Sequence, residues 1–332
     1  MRRVLALLAG STMVLTCAYS WARGSVKGNK SDQLIFGKAI RYYNMTVVPV
    51  GTRARGPFQR YTLLEQGVRM QTLAVRELDG NAGRARVAFV EVRNTGPRPA
   101  YLLGGEMILG GKQDRIISRD TVIDNDRRWT KVGVFCVEQG RWRGQKMKFG
   151  AGGAIAHVKL RLAAMKASQR QVWAEVARKN AEQKTTNATS TYRRTIQNAK
   201  VRGRIAPYRE KLLAKLPRDM KIAGVVFAIN GKVRVADIFG NPLLFRALRA
   251  KLMSAYILEA LGHKRVANAP ALDAAKAGNF VNQARASRKQ RKRRRYNGKR
   301  TSNVDFDGDS VSDSVSKDRK TGKTLRETIY AH

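Results

Sequence analysis

The spacing of the apolar residues changes along the chain, and that change limits the fold more than any single motif does. Between Gln33 and about Lys148 the apolar residues fall in short runs rich in β-branched and aromatic side chains, such as RARVAFVEVR (Arg84–Arg93) and KVGVFCVE (Lys131–Glu138). Turn-forming clusters bound these runs, which is typical of strands. The first half of the chain is therefore predicted to consist of short, antiparallel strands.

Helical spacing begins after a glycine-rich joint, FGAGGA at Phe149–Ala154,. A second helical stretch runs from Tyr192 to Leu216 and is expected to break near Pro207,. Asn230-Gly231 between two apolar runs predicts a two-residue hairpin, and Asn241-Pro242 predicts the start of another helix,. Strands, helices, a β-hairpin and a further helix in that order predict an α+β fold rather than an alternating βαβ chain.

The N-terminus has the pattern of a secretion signal. Arg2 and Arg3 precede an apolar stretch, Val4–Tyr19, that is short for a membrane span,. Ser20 and Ala22 place small residues where a signal peptidase reads them, so cleavage after Ala22 is expected, with an uncleaved anchor as the alternative,. The protein is then predicted to be exported, to the periplasm or the extracellular space, without a stable membrane span after cleavage.

Four segments follow from these patterns. Residues 1–22 form the signal peptide, residues 23–150 a β-rich half, residues 151–286 an α+β half, and residues 287–332 a basic segment that ends in a predicted β-hairpin. We expect these segments to fold as one large domain or as two domains of ordinary size, since a chain of 332 residues is long enough for either,.

The charge of the chain is strongly unbalanced. It contains 66 Lys and Arg against 24 Asp and Glu, for a formal net charge of +42. Removing residues 1–22, which hold two Arg and no acid, leaves +40 (42 − 2). An excess of this size favours phosphate-rich, carboxylate-rich or anionic-membrane partners, and the attraction weakens as the salt concentration rises.

The sequence contains none of the standard catalytic or metal-binding motifs. Gly110-Gly111-Lys112 lacks the upstream glycine of a phosphate-binding loop, and the three histidines are not at metal-ligand spacing, so no cofactor or metal is predicted,. With Cys17 in the signal peptide, Cys136 is left as a single thiol and no intramolecular disulfide can form,. A buried, inert thiol is favoured over a reactive one.

Two polar motifs hold the candidate site residues: GGEMILGGKQDR (Gly104–Arg115) and FCVEQGRW (Phe135–Trp142). If the site is catalytic, Glu106 or Glu138 is the candidate general base, and Cys136 is a further candidate. The candidate ligand-binding residues are Lys112, Gln113, Asp114, Arg115, Gln139, Arg141 and Trp142.

The charges of the two motifs balance, with Glu106, Asp114 and Glu138 against Lys112, Arg115 and Arg141. Such a set suits buried ion pairs that hold glycine-rich loops in place. It equally suits a site in which carboxylates bind ribose hydroxyls and cations bind phosphate, and the structural interpretation is favoured because ion-pair networks are common. FCVEQGRW is then predicted to end a core strand whose turn docks onto GGKQDR, with Cys136 buried and Glu138 paired with Lys112, Arg115 or Arg141.

Four motifs together resemble a known family. GGEMILGGKQDR, FCVEQGRW, SQRQVWAEVARK (Ser168–Lys179) and VADIFGNPLLF (Val235–Phe245) occur in the order found in the ARG and rhodanese-phosphatase-superfamily-associated protein domain family, where ARG stands for ADP-ribosylglycohydrolase. The resemblance covers roughly Met45 to Leu261, with an extension to the C-terminus left open, so that residues 23–150 and 151–286 would be two parts of one family domain. The family name implies an association with ADP-ribose and phosphate chemistry, and no activity.

The C-terminal segment is the most basic part of the chain. RKQRKRRR is interpreted as a solvated, flexible run that could bind anionic envelope polymers or extracellular nucleic acid through Arg288, Lys289, Arg291, Lys292, Arg293, Arg294 and Arg295,. DFDGDSVSD then spaces Asp305, Asp307, Asp309 and Asp313 like a calcium loop, although Ser310 stands where glycine is preferred,. A terminal hairpin, in which SVSDSVSKD and TLRETIYA pair across RKTGK, is the favoured alternative.

Two functional classes remain open. The favoured one is a binding or structural protein of the envelope, whose basic surface attracts anionic polymers and whose polar motifs stabilise loops. The alternative is a hydrolase of a nucleotide- or sugar-phosphate-like, ADP-ribose-related substrate, with Glu106 or Glu138 as general base and Lys112 and Arg141 on the phosphate. A cleft lined by both motifs would favour the hydrolase, and mutual burial of the same groups would favour the binding protein.

Overall fold

The computed structural model describes residues 34–53, 58–79, 85–140, 147–217 and 221–332. The strands of its first half, in chain order, are β1 (Leu34–Phe36), β2 (Ile40–Tyr42), β3 (Met45–Thr52), β4 (Thr62–Leu63), β5 (Leu73–Asp79), β6 (Ala85–Asn94), β7 (Ala100–Leu102), β8 (Glu106–Gly111), β9 (Arg115–Ile117), β10 (Thr121–Ile123), β11 (Trp129–Cys136) and β12 (Met147–Ile155). A short helix, α1 (Leu64–Arg69), lies between β4 and β5.

The second half begins with helices and ends in strands. Its helices are α2 (Val158–Met165), α3 (Gln169–Glu182), α4 (Arg193–Gln197), α5 (Ala199–Lys215), α6 (Pro242–Ala260) and α7 (Ala274–Ala286). Its strands are β13 (Ile222–Ile229), β14 (Lys232–Phe239), β15 (Lys292–Asn297), β16 (Thr301–Asp307), β17 (Val311–Asp318) and β18 (Thr324–Ala331). The predicted α+β class is confirmed, including the strand-rich first half.

Three sheets organise the described residues. Nine strands form the largest sheet, in the order β1-β3-β13-β14-β18-β17-β16-β15 with β2 also pairing with β3. Six antiparallel strands form the second, in the order β12-β8-β9-β11-β6-β5, and β10-β7-β4 form the third. Because β3 from the first half pairs with β13 from the second, the two halves share one sheet.

Two predicted hairpins are confirmed, and their turns explain why. β13 and β14 pair across Asn230-Gly231, where both residues have a positive φ, as a type I′ turn requires,. β17 and β18 pair antiparallel at the C-terminus, with Gly322 at positive φ in the turn between them. The segment that spaces Asp305 to Asp313 is therefore part of a β-meander.

Two expectations are wrong. Helix α5 does not break at Pro207; Pro207 and Gly203, whose carbonyl loses its hydrogen bond, are both exposed, so water can solvate that carbonyl,. The basic run is not a flexible arm, because its residues form a 3-10 turn (Ser287–Gln290) and the edge strand β15. Exposed Lys and Arg side chains on an edge strand discourage its pairing with strands of other chains. A run dense in Lys and Arg is therefore compatible with an ordered edge strand.

Helices cover both faces of the large sheet. Helix α6 packs on β13, where the rings of Phe227 and Tyr256 stack at 5.1 Å, and α7 lies over the opposite face around Val281. Within the described residues, no helix is long and apolar enough to cross a membrane. On the α6 side, polar side chains of β14, β16, β17 and β18 face helix α2 and the segment before β10, and several buried ion pairs lie there.

Candidate functional site

The first polar motif forms the β8–β9 hairpin. Its turn depends on glycine, because Gly110 and Gly111 both have positive φ values, of 104° and 61°,. A side chain at Gly110 would overlap the Lys148 carbonyl of β12, and one at Gly111 would overlap the ring of Phe149. The glycines thus let β12 and the turn approach each other closely.

The second motif docks onto that turn, as predicted. Strand β11 ends at Cys136, which pairs with Arg115, and the next residue donates a hydrogen bond from Val137 N to the Asp114 carbonyl at 2.9 Å. The Gln113 amide donates to the Glu138 carbonyl at 2.6 Å, and the Asp114 N–H donates to Glu138 Oε2 at 3.0 Å. These bonds join the two motifs into one unit.

Cys136 is fully buried in this unit, as predicted. Burial raises the pKa of its thiol to about 11,. A thiol in that state holds its proton at neutral pH, so it is a poor nucleophile. The structure thus gives Cys136 a packing role.

Several charged residues of the motifs are bonded to charged groups outside the motifs. Arg115 forms a fully buried, bidentate pair with Glu77 at 2.8 and 3.0 Å. Asp114 accepts a hydrogen bond from Arg193 Nε at 2.7 Å, and Glu106 lies 3.1 Å from Lys251 Nζ. Of the three cations predicted to pair with Glu138, Arg115 is bonded to Glu77 of β5 and Arg141 lies outside the described residues, so the pairing of Glu138 stays a prediction.

The remaining candidates are placed as follows. Lys112 is half-buried and its N–H donates to Glu77 Oε1 at 2.9 Å, while Gln139 is exposed and its N–H donates to the Thr189 carbonyl. Arg141 and Trp142 lie outside the described residues. The candidate bases Glu106 and Glu138 are 1% and 3% exposed, so neither carboxylate is open to solvent.

A second buried network, which the sequence did not reveal, lies beside this unit. Arg326 of β18 binds Asp120 through two bonds of 2.6 and 2.9 Å and reaches Asp237 of β14 at 3.1 Å. Arg161 of α2 binds Asp237 through two bonds of 2.8 and 3.2 Å. All four charged side chains are buried, so two cations neutralise two carboxylates. We call Asp120, Arg161, Asp237 and Arg326 the arginine–carboxylate network.

Hydroxyl groups complete the hydrogen bonding of the two carboxylates. Asp120 also accepts bonds from Tyr101 Oη at 2.6 Å and from the Gly104 N–H, while Asp237 accepts from Tyr256 Oη at 2.6 Å and from Thr328 Oγ1. Burial alone would raise the pKa of Asp237, but the neighbouring arginines and these donors hold it at about 2,. Asp237 therefore stays ionised at neutral pH.

A small cleft opens onto this network. It has a volume of about 20 Å³, and its lining includes Ser118, Arg119, Arg161, Ser314, Ser316 and Arg326. A polar space of this size holds about one water molecule. A nucleotide or ADP-ribose does not fit there, and the arginine groups beside the cleft are already bonded to carboxylates. The arrangement suits a structural junction between α2, the segment before β10 and the large sheet.

A third buried cluster joins the helices. His157 Nε2 lies 2.6 Å from Glu175 and Nδ1 lies 2.7 Å from Tyr192 Oη. A neutral imidazole satisfies both contacts, since Nε2–H donates to Glu175 while Nδ1 accepts from Tyr192. Burial lowers the pKa of His157, in agreement with the neutral form,.

The acidic residues of the C-terminal meander bind arginines. Asp305 pairs with Arg119 at 2.8 Å, and Asp313 lies 2.6 Å from both Arg288 and Arg291. Asp307 and Asp309 are the remaining members of the calcium-loop candidate. Across the ranges that the structure describes, no group of three or more His, Cys, Asp and Glu side chains is placed to hold a metal ion.

Sequence reasoning missed the network residues because a charge within a strand forms no motif of its own. Asp237 in VADIFG is flanked by apolar residues, and Arg326 in TLRETIY stands beside Glu327. A charge within a buried strand must find a partner, since an unpaired one is costly. That rule could have marked both residues as members of an ion pair, although not with whom they pair.

Comparison with known proteins matches the chain to a family. Residues 33–325 match the family described as the ARG and Rhodanese-Phosphatase-superfamily-associated Protein domain. No curated protein and no solved structure matches the chain. The matched range includes both polar motifs and the C-terminal meander up to the start of β18.

Proposed function

The chain belongs to the ARG and Rhodanese-Phosphatase-superfamily-associated Protein domain family, whose description names an association and no activity. We therefore propose a function from the distribution of charged side chains in the structure. The protein is a binding protein for anionic polymers that acts outside the cytoplasmic membrane. Its two polar motifs and its arginine–carboxylate network stabilise the fold. Its exposed lysines and arginines bind the polymer.

The observation that carries this proposal is the separation of the two signs of charge between interior and surface. Within the described ranges eleven acidic side chains are buried and five basic ones are, although the sequence has 24 acidic and 66 basic residues. The buried acids are Glu77, Glu106, Asp114, Asp120, Glu138, Asp237, Glu259, Asp305, Asp313, Asp318 and Glu327, and the buried cations are Arg115, Arg161, Lys179, Arg300 and Arg326. The surface is therefore more positive than the composition alone implies, which favours polyanionic partners.

The C-terminal basic run contributes less to that surface than its composition suggests. Arg288 pairs with Asp313 and Glu327, Arg291 lies against Asp313, and Arg294 lies 3.5 Å from Asp307. The run's exposed cations are Lys289, Lys292, Arg293 and Arg295. Deleting the whole run would disrupt the fold, so point substitutions at the exposed positions are the better probe.

The hydrolase stays an alternative prediction. Its candidate bases, Glu106 and Glu138, are buried and bonded to Lys251 and to the Asp114 N–H, respectively. A general base must reach the proton it removes. These positions support a structural role for both carboxylates.

Export is part of the proposal and rests on residues 1–22, which lie outside the described residues. Their charged start, apolar stretch and small residues at the cleavage position favour a cleaved secretion signal,. N-terminal sequencing of protein recovered from its native host should begin at Arg23. A sequence that begins at Met1 or Arg2 on protein from the cytosol would reject export.

The binding function is tested with full-length protein and three labelled polymers at one moderate salt concentration: inorganic polyphosphate, a single-stranded oligonucleotide and neutral dextran. Fluorescence anisotropy should show binding of both polyanions and none of dextran. The matched variant Lys292→Gln/Arg293→Gln should bind both polyanions more weakly by a similar factor, since each lost cation releases fewer counterions. Equal affinity for dextran and polyphosphate would overturn the proposal.

A further inference from the structure

An aromatic and basic patch lies where the β2–β3 turn, helix α5 and the segment after α6 meet. We call it the tyrosine–arginine patch and define it as Tyr42, Tyr43, Tyr208, Arg204 and Arg265. The ring of Tyr208 packs edge-on against the rings of Tyr42 and Tyr43, with distances between ring centres of 4.9 and 6.0 Å, respectively. The guanidinium of Arg265 lies 5.6 Å from the centre of the Tyr43 ring.

Tyr43 is the unusual member of the patch. It is 63% exposed, the most exposed of the large hydrophobic residues in the described part of the chain. It also has a φ of 53°, in the left-handed region that favours glycine and asparagine,. A tyrosine at such a position is strained and buries little surface, so packing does not account for it.

The neighbouring residue holds the turn in place. Asn44 is buried, and its side-chain amide donates to the Ala260 carbonyl at 3.0 Å and to the His263 carbonyl at 2.8 Å. Its side-chain oxygen accepts a bond from Tyr208 Oη at 3.4 Å. These bonds tie the turn to the end of α6, and the turn then presents Tyr43 to solvent.

A stripe of cations leads away from the patch along α5. Lys200, Arg204, Lys211 and Lys215 are exposed and recur at spacings that place them on one face of the helix, over about 22 Å,. The single acidic residue of α5, Glu210, projects from a different face by the same periodicity. The stripe thus offers positive charge over the length of several phosphate groups.

We propose that the tyrosine–arginine patch binds single-stranded nucleic acid, with a base stacked on Tyr43 and the phosphates along the α5 stripe. This inference rests on the proposed function and names the polymer for it. An exposed aromatic ring next to a track of cations is the arrangement by which proteins bind single strands without reading their sequence. A polymer without bases would gain nothing from Tyr43.

An anionic bilayer is the competing partner, and α5 argues against it. The exposed positions of α5 are Lys, Arg, Glu, Ala, Gly and Pro, and none is a large apolar side chain. A helix that lies in a membrane interface buries such side chains among the lipids. The nucleic acid needs the phosphate contacts and one stacking ring, and the patch supplies both.

The test compares a labelled single-stranded oligothymidylate with polyphosphate, using full-length protein. Tyr43→Asn removes the ring but suits the left-handed φ, so the turn is kept, and Tyr43→Phe keeps the ring. Tyr43→Asn should bind the oligonucleotide between about 5- and 100-fold more weakly. Its affinity for polyphosphate should be unchanged, and Tyr43→Phe should bind both polymers like the wild type.

A charge control separates stacking from general attraction. Lys292→Gln/Arg293→Gln, on the distant edge strand β15, should lower the affinity for both polymers by the same factor. The ratio of the affinity for the oligonucleotide to that for polyphosphate should stay unchanged. The melting temperatures of all variants are measured alongside to show that each is folded. If Tyr43→Asn unfolds, Arg265→Gln at the same patch replaces it.

The outcomes distinguish the two levels of the proposal. If both polyanions bind and Tyr43→Asn binds the oligonucleotide like the wild type, the patch is wrong and the proposed function stands. If neither polyanion binds, the proposed function is wrong and the patch with it. If phosphatidylglycerol vesicles bind, the oligonucleotide does not, and Tyr43→Asn abolishes vesicle binding, the partner is a membrane surface and the inference is overturned.

Discussion

The substitution Asp237→Asn should destabilise the protein more than any other single exchange of a carboxylate for an amide in the arginine–carboxylate network. Asp237 accepts hydrogen bonds from Arg161, Arg326, Tyr256 and Thr328, and it is the carboxylate that Arg161 contacts. In the variant, an amide NH₂ must face one of the two guanidinium groups. Arg161 is then left in the interior without a negative charge.

The size of the effect follows from the structure in two ways. The pKa of Asp237 is held near 2 instead of its ordinary 3.8, and at about 1.4 kcal/mol per pKa unit this charge effect alone amounts to roughly 2–3 kcal/mol,. Removing one partner of a buried ion pair, with the hydrogen bonds included, costs about 3–5 kcal/mol. At about 2 cal/mol/K per residue, a loss of about 4 kcal/mol lowers Tm by roughly 6 °C in a chain of 332 residues,.

The assay is a thermal melt followed by far-UV circular dichroism at neutral pH, with urea unfolding to give the free energy. The control is Asp309→Asn, the same exchange at an exposed position of the C-terminal meander. It should change the free energy of unfolding by less than about 0.5 kcal/mol. If Asp237→Asn melts like the control, the network does not stabilise the fold and the reasoning fails.

Three further predictions concern the other buried groups. Burial lowers the pKa of His157 below its ordinary 6.5, so on acidification the unfolded chain takes up a proton that the folded protein does not,. The free energy of unfolding should therefore fall as the pH drops below about 6.5,. His157→Gln should remove this pH dependence, whereas the control His332→Gln, at the exposed C-terminus, should keep it. Cys136, with a pKa of about 11, should react with a thiol reagent at neutral pH after unfolding and not before, as read by peptide mass spectrometry; rapid labelling of the native protein would contradict its burial. Glu77→Gln leaves Arg115 buried without its partner and should cost about 3–5 kcal/mol, so an unchanged urea midpoint would show that the pair contributes nothing,.

Local patterns in the sequence predicted the parts of the fold that depend on local chemistry. The turn at Asn230-Gly231 needs positive φ at both residues, which these two residues tolerate, and the hairpin is present,. The docking of FCVEQGRW onto the β8–β9 turn followed from strand alternation and from the glycine that lets the chain leave the strand. The burial of Cys136 and Glu138 followed with it.

The partners of the buried charges could not be predicted in the same way. Arg161 and Asp237 are 76 residues apart, and Asp120 and Arg326 are 206 apart. Which of many cations meets a given carboxylate is decided by how the sheets and α2 pack, and a single sequence does not fix that. The basic run was misinterpreted for a related reason, because dense Lys and Arg suit both a solvated arm and the edge strand β15,.

The salt dependence of the affinity for a single-stranded oligonucleotide tests the central claim most directly. Full-length protein is titrated by anisotropy over a series of salt concentrations, and log Kd is plotted against log salt. Surface cations that replace counterions on several phosphates predict a straight line whose slope is about 0.7 per phosphate contacted, and so a slope of about 3 or more for a stripe the length of α5. A Kd that does not change with salt would mean that the exposed cations do not bind the polymer, and it would contradict the account.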